Sequence, residues 1–251
     1  MTIDTREQNN LPLIAAIVCV ATIGGFMFGY DSGAINGTQD GLKSTFGLSE
    51  GALGLTVSAL LPGSALGAFM AGRLADSMGR KTVMMLSAVL FLVSAIISGA
   101  APSALVLAIA RFFAGAAVGA ASVLSPAYIS EVTPARIRGR LSSLQQVMII
   151  AGLTGAFLAN YFLAQAAGSS LGEFWLGYPA WRWMFWAQAV PALLFLLMLF
   201  IIPESPRFLV AKGRMEDAEN VLARLFGAAA AAVKVQDIKR SLVSDHAPKL
   251  A

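Results

Sequence analysis

The chain has 251 residues, is 57% hydrophobic and only 13% charged, and carries a formal net charge of +4, whereas a soluble domain holds about 25% charged residues. With a mean hydropathy of +0.71, this composition excludes an ordinary soluble domain and indicates an integral membrane protein. The pI near 9.5 does not indicate a nucleic-acid binder, because the basic residues are not gathered in one cluster.

The apolar runs are long and continuous, which favours helices over the alternating strands, each of roughly 10 residues, of a membrane barrel. One cysteine, Cys19, rules out an internal disulfide, and one histidine, His246, leaves no His-based metal or catalytic constellation. No nucleophile–base pair or phosphate loop is visible, so an enzyme is not expected.

The first candidate span covers 12–35, too long for a removed signal segment, whose apolar region is only about 7–15 residues. Five more follow at 50–71, 82–101, 104–129, 141–165 and 182–202, separated by polar or Gly- and Pro-rich breaks. Each is close to the roughly 20 apolar residues that a spanning helix needs. The segment 203–251 is different. In "RMEDAENVLARLF" (214–226), Ala218, Val221, Leu222 and Leu225 recur at helical spacing, with acids early and Arg224 late. This reads as an amphipathic surface helix whose charges match its dipole. A second, shorter helix is expected over Lys234–Leu242, and the run "GAAAAAV" is either linker or helix. The organisation is therefore an N-terminal segment 1–11, a six-helix transmembrane bundle 12–202 and a helical segment 203–251.

Placing the N-terminus in the cytoplasm puts Arg6, Arg73, Arg80, Lys81, Arg136, Arg138, Arg140, Arg207, Lys212 and Arg214 inside, and only Lys43 and Arg182 outside. The positive-inside rule then sets both termini in the cytoplasm.

Two ionisable residues lie well inside spans: Asp31 in the first and Arg111 in the fourth. Charges at membrane depth cost at least ~2.5–3.5 kcal/mol, so they pair and mark pathways. Counting from the outer ends, at ~1.5 Å per residue, puts Asp31 roughly 8 Å deep and Arg111 roughly 12 Å deep. The two can meet if their helices are neighbours. Such a pair offsets the cost of burial and makes the acid switchable, because protonating Asp31 releases Arg111. The plainer alternative is a static pair that joins two helices. Glycine recurs every fourth residue at Gly25, Gly29, Gly33 and Gly37, and again as Gly63 and Gly67 and as Gly115 and Gly119. Small residues at this spacing let helices approach closely; a sharper reading is that smooth faces also slide during a transport cycle.

"GRLADSMGRK" (72–81) is a loop short enough to be a tight turn, with Asp76 placed to cap a helix start. The order of its Gly, Arg, Asp, Gly, Arg and Lys resembles the loop signature between helices two and three of the major facilitator superfamily. "FGYDSGAINGT" (28–38), "PAYISEVTPARIRGRLSSLQQ" (126–146), "WRWMF" (181–185) and "PESPRFLVAKGR" (203–214) narrow the resemblance to its sugar porter family. It covers nearly the whole chain, roughly 12–243.

The resemblance implies an all-α integral membrane fold, the N-terminal six-helix half of a twelve-helix transporter. It implies a proton-coupling pair, Asp31 and Arg111. It implies sugar contacts at Phe28, against the ring, and at Gln146, with Gln145 as the weaker candidate. An amide for hydroxyls and an aromatic face for C–H groups suit a sugar pocket. It further implies a cytoplasmic charge network of Arg73, Asp76, Arg80, Glu131, Arg138, Glu204 and Arg207 that latches two halves; the plain alternative is interface anchoring, since single surface pairs are worth only about 0–1 kcal/mol.

Two departures stand out. Leu153 lies where some sugar porters carry a second Gln, and Gln188 replaces an acid found in some proton-coupled members. Six spans instead of twelve imply that a second half, or another copy, completes the pathway. The expected function is transport of a monosaccharide or polyol across the cell membrane by sugar:proton symport, with no metal and no cofactor beyond the proton gradient. The alternatives are a passive facilitator and a truncated, non-transporting membrane fragment.

Overall fold

The computed structural model describes residues 10–246, except for the side chains of 135, 138, 142 and 244–246. The expectations placed on residues 1–9, including Arg6, and on the side chains of Arg138 and His246 lie outside the described residues.

Six helices are long and apolar enough to cross a membrane. The first, α1 (Leu11–Phe46), starts where the Asn10 side chain accepts a hydrogen bond from the Leu13 N–H, and stops at Gly47 in the left-handed region. It runs well past the expected end at residue 35. Its 36 residues make a rod about 54 Å long, longer than a bilayer core. The polar stretch after Ile35 lowers hydropathy without breaking the helix. Its C-terminal end is held by packing: Leu42, fully buried, shares a cluster with Leu107 and Trp181.

The second span is α2 (Glu50–Ser58) and α3 (Leu60–Met78), with a break at Ala59. Pro62 has no N–H for the Ser58 carbonyl and its ring crowds that oxygen, which places the break. Next come α4 (Arg80–Ala100), α5 (Ala104–Val132) and α6 (Ala135–Ala167). A short antiparallel ribbon, β1 (Glu173–Trp175) and β2 (Tyr178–Pro179), then precedes the sixth span. This ribbon was not legible in the sequence; Leu176 and Gly177 turn it with positive φ values of 57° and 73°. The sixth span divides into α7 (Ala180–Trp186) and α8 (Ala189–Ile201), broken by Pro191 for the same reason as the second. Arg182 donates to the carbonyls of Gly99 at 2.8 Å and Ala101 at 3.1 Å, so it closes the C-terminal end of α4.

Three more helices follow: α9 (Pro206–Ala211), α10 (Met215–Phe226) and α11 (Ala228–His246). Of the expected amphipathic face, Ala218, Leu222 and Leu225 are buried, together with Phe226. The alanine run is helix, the first turns of α11, and only Gly227, at φ 87°, separates it from α10. These helices join the bundle's main apolar cluster. The Asn10 N–H also donates to the Leu225 carbonyl at 2.9 Å, which ties the start of α1 to α10.

The spaced glycines set the packing. A Cβ on Gly29 would lie 1.8 Å from the Ile149 carbonyl oxygen of α6, and one on Gly63 would lie 1.9 Å from the Phe112 carbonyl oxygen of α5. Gly25, Gly33 and Gly37 face α6 as well, while Gly115 and Gly119 meet α3 in turn. The bundle thus contains two close-packed pairs, α1–α6 and α3–α5, each in backbone contact. The outer face of α6 is open: 17% of its most apolar stretch is buried, against 56% for α5. Val147, Ile150, Leu158 and Tyr161 are exposed there.

Candidate functional site

α1 and α5 pack side by side, which brings Asp31 and Arg111 together. The Arg111 Nη1 donates to Asp31 Oδ1. Asp31 is 0% exposed and Arg111 3%, so the pair lies out of water and lipid. Among the described residues it is incompletely satisfied: Asp31 Oδ2 and Arg111 Nε have no hydrogen-bond partner. A buried pair of this kind costs desolvation that its attraction only partly repays.

Phe28 lies one helical turn before Asp31 on α1 and is half-buried against the main apolar cluster. The two glutamines part company. Gln145 is buried at 7% exposure and packs on α1, where a Cβ on Gly25 would lie 2.7 Å from its Nε2. Among the described residues both polar atoms of its amide lack a partner. Gln146 is exposed on the open face of α6. A groove between halves would be lined by Gln146, while Gln145 belongs to the α1–α6 contact.

Two further buried polar residues belong here: Asn160, which the sequence did not single out, and Gln188, noted there only as standing in for an acid. Asn160 of α6 donates through Nδ2 to the carbonyls of Gly33 and Ala34, both at 3.1 Å. It clamps α1 just after Asp31. Its signal was present, as a lone amide in an apolar span. Gln188, in the break between α7 and α8, is 1% exposed, and its Nε2 has no partner.

The second constellation sits where α3, α4, α5 and α9 converge. Glu131 Oε1 meets Arg80 Nε at 3.3 Å, and its Oε2 accepts from the Ser205 hydroxyl. Arg80 also holds Asp76 at 3.0 Å and donates to the Ala75 carbonyl at 3.0 Å. Glu204 Oε1 accepts the Lys81 N–H at 3.1 Å and the Ser205 N–H at 2.8 Å. Its carboxylate therefore caps the start of α4, where the helix dipole favours an anion. Gly79 makes room for it: φ is 98°, and a Cβ there would lie 2.2 Å from Glu204 Oε2. Arg207 is close enough for its charge to act on Glu131.

Tyr128 and Lys81, missed in the sequence, brace the cluster. The Tyr128 hydroxyl donates to the Pro203 carbonyl at 2.7 Å, and Lys81 Nζ donates to the Ile202 carbonyl at 2.8 Å. Asp76, Arg80, Glu131, Glu204 and Arg207 thus gather. Arg73 stands apart, its guanidinium over the Phe69 ring at 4.6 Å. The Arg138 side chain is outside the described residues. Among the described residues no group of His, Cys, Asp and Glu is arranged to hold a metal ion.

The model of the family described as "Sugar (and other) transporter" matches residues 17–249. A glucose transport protein of Synechocystis is 45% identical over 248 residues, covering 98% of this chain and 53% of that protein. The D-xylose-proton symporter of Escherichia coli K12 is 38% identical over 273 residues, covering 97% and 54% respectively. Among solved structures, the xylose transporter XylE from E. coli in a partially occluded inward open conformation superimposes with a TM-score of 0.86 at 37% identity, over 93% of this chain and 60% of that one. The chain spans about half the length of the curated relatives it matches. By its six apolar helices, its superposition on transporter structures and the match over residues 17–249, the chain belongs to the sugar (and other) transporter family of multi-pass membrane proteins.

Proposed function

We propose that this chain moves a monosaccharide or polyol across the cell (plasma or inner) membrane by alternating access, coupled to protons, as one six-helix half of a pathway completed by a second half or another copy. Both termini are cytoplasmic, on the distribution of Arg and Lys among the connecting segments. The relatives' names speak of glucose transport and xylose–proton symport. The observation that carries the reading is the buried, half-satisfied Asp31–Arg111 pair between α1 and α5.

Asp31 is fully enclosed, so a proton reaches it only when the pathway opens outward. Protonation neutralises the carboxylate and frees Arg111. Sugar binds between Phe28 and Gln146 on this half and groups on the other. The two halves then rock, the contacts of the Arg80–Glu131–Glu204 cluster with the facing half break, and sugar and proton leave inward. No bound cofactor and no catalysis enter; the proton gradient supplies the energy.

Proton-gradient-driven uptake of labelled hexoses and pentoses into vesicles tests this, with the chain alone and with a second half co-expressed. Gradient-dependent uptake in either preparation is the expected result. Silence in both, with the chain inserted and folded, overturns the proposal and favours a non-transporting fragment. A passive facilitator is the second reading. It is favoured by Gln188, a neutral buried amide where the resemblance puts an acid in some proton-coupled members. Uptake indifferent to a proton uncoupler would select it.

A further inference from the structure

At the end of the bundle that carries α9–α11, a cavity of about 650 Å³ opens between the α3–α4 turn and the last three helices. That volume falls in the range of ligand sites, about 300–1,000 Å³. Its charged lining is Arg80, Arg207, Lys212 and Lys239, with Asp76 as the one acid. Asp76 is already held by Arg80 at 3.0 Å, and Arg80 also meets Glu131 at 3.3 Å. The two lysines differ: among the described residues neither Lys212 nor Lys239 makes an ion pair. The Lys212 ammonium instead lies 5.6 Å from the centroid of the Phe208 ring. Phe208 and Leu242 add an apolar wall.

A concave site with a surplus of cations and low-dielectric walls focuses positive potential. Lysine and arginine around one space suit a phosphate, whose several oxygens accept charge-assisted hydrogen bonds from more than one donor. The apolar wall suits the organic body that the phosphate carries. We propose that this cavity binds a phosphate-bearing anion with an organic body, held by Lys212 and Lys239 together with Arg207. In the orientation given above, the cavity faces the cytoplasm, where both anionic phospholipid headgroups and soluble organic phosphates occur. The site lies apart from Asp31 and Gln146, and its occupancy is read by binding, independently of transport.

The experiment uses the purified full chain in detergent, with phosphatidylglycerol, phosphatidylcholine, inorganic phosphate and a hexose phosphate as separate probes, followed by native mass spectrometry. We expect retention of phosphatidylglycerol over phosphatidylcholine, which identifies a headgroup, or binding of the hexose phosphate and inorganic phosphate, which identifies a soluble source. The double variant K212Q/K239Q weakens the bound probe roughly tenfold, as loss of charged hydrogen-bond donors should, and K212R/K239R retains it. A second measurement needs no variant: the bound probe slows acetylation of Lys212 and Lys239 in the unmodified chain and leaves Lys234 unchanged. Failure of every probe to bind, unchanged binding by K212Q/K239Q, or equal labelling with and without probe overturns the proposal.

Discussion

Arg111 of α5 reaches Asp31 of α1 through a single nitrogen and a single oxygen, and the remaining Oδ2 and Nε of this enclosed pair are without hydrogen-bond partners. A static structural pair would gain from a two-pronged fork, which satisfies both oxygens. The single contact leaves one carboxylate oxygen of Asp31 without a partner among the described residues. In a complete transporter, Asp31→Asn is expected to abolish uptake against a gradient while sparing exchange, which becomes insensitive to pH. Undiminished accumulation by this variant would remove Asp31 from the coupling step.

The same pair makes a stability prediction. Arg111→Leu leaves a buried carboxylate without its partner, a change that costs about 3–5 kcal/mol in comparable sites. Adding Asp31→Asn removes that stranded charge. The double variant should therefore melt above Arg111→Leu alone, as read by tryptophan fluorescence in detergent. Strictly additive losses would show that the two residues do not interact.

Gln145 and Gln146 are adjacent but face different surroundings. Gln146 is exposed on α6, and Gln145 is buried against Gly25. Gln146→Ala should weaken sugar binding in a complete transporter and leave the thermal midpoint nearly unchanged. Gln145→Leu should leave sugar binding in place and hold or raise stability, because it removes buried amide atoms that have no partner, each of which costs about 1–3 kcal/mol. The reverse pattern in calorimetric binding and melting would exchange their roles.

The glycine contacts predict a sharp contrast. Gly29→Ala and Gly63→Ala place a methyl within 1.9 Å of a carbonyl oxygen on the facing helix. Each should destabilise the folded chain by about 1–3 kcal/mol, the usual cost of overpacking. Gly54→Ala, with nothing within 4 Å, should instead stabilise α2 by up to about 1 kcal/mol. Equal melting of the three variants would mean that the close approach is not what the glycines provide.

Asn160 should matter to stability out of proportion to its size. Asn160→Leu removes both hydrogen bonds to the α1 carbonyls of Gly33 and Ala34, each worth about 0.5–1.5 kcal/mol. Amide exchange in α1 between Gly33 and Gly37 should accelerate in this variant. An unchanged exchange rate would show that the packing alone holds the helix pair.

The membrane class, the six spans and the presence of an acid and a base inside them were legible in the sequence, because each depends on local quantities; that the two meet depended on α1 and α5 being neighbours. Run length and charge placement follow from the cost of putting polar groups in lipid. The breaks at Ala59 and before Ala189 were not foreseen, and proline alone does not decide them, since Pro126 lies inside the unbroken α5. Other features depend on what a residue touches. The C-terminal end of α1 stays helical past its apolar run because Leu42 and Gly41 pack on the layer around Trp181. Composition does not say which faces the glycine stripes meet; the backbone oxygens of Ile149 and Phe112 lie against Gly29 and Gly63. Neighbouring glutamines look alike in a string of letters, and only the direction of α6 against α1 buries Gln145 and exposes Gln146. The sequence by itself determined where the chain crosses the membrane and which charges it buries. Tertiary packing decided which faces meet, because helix contacts join residues far apart in the chain whose pairing no local preference encodes.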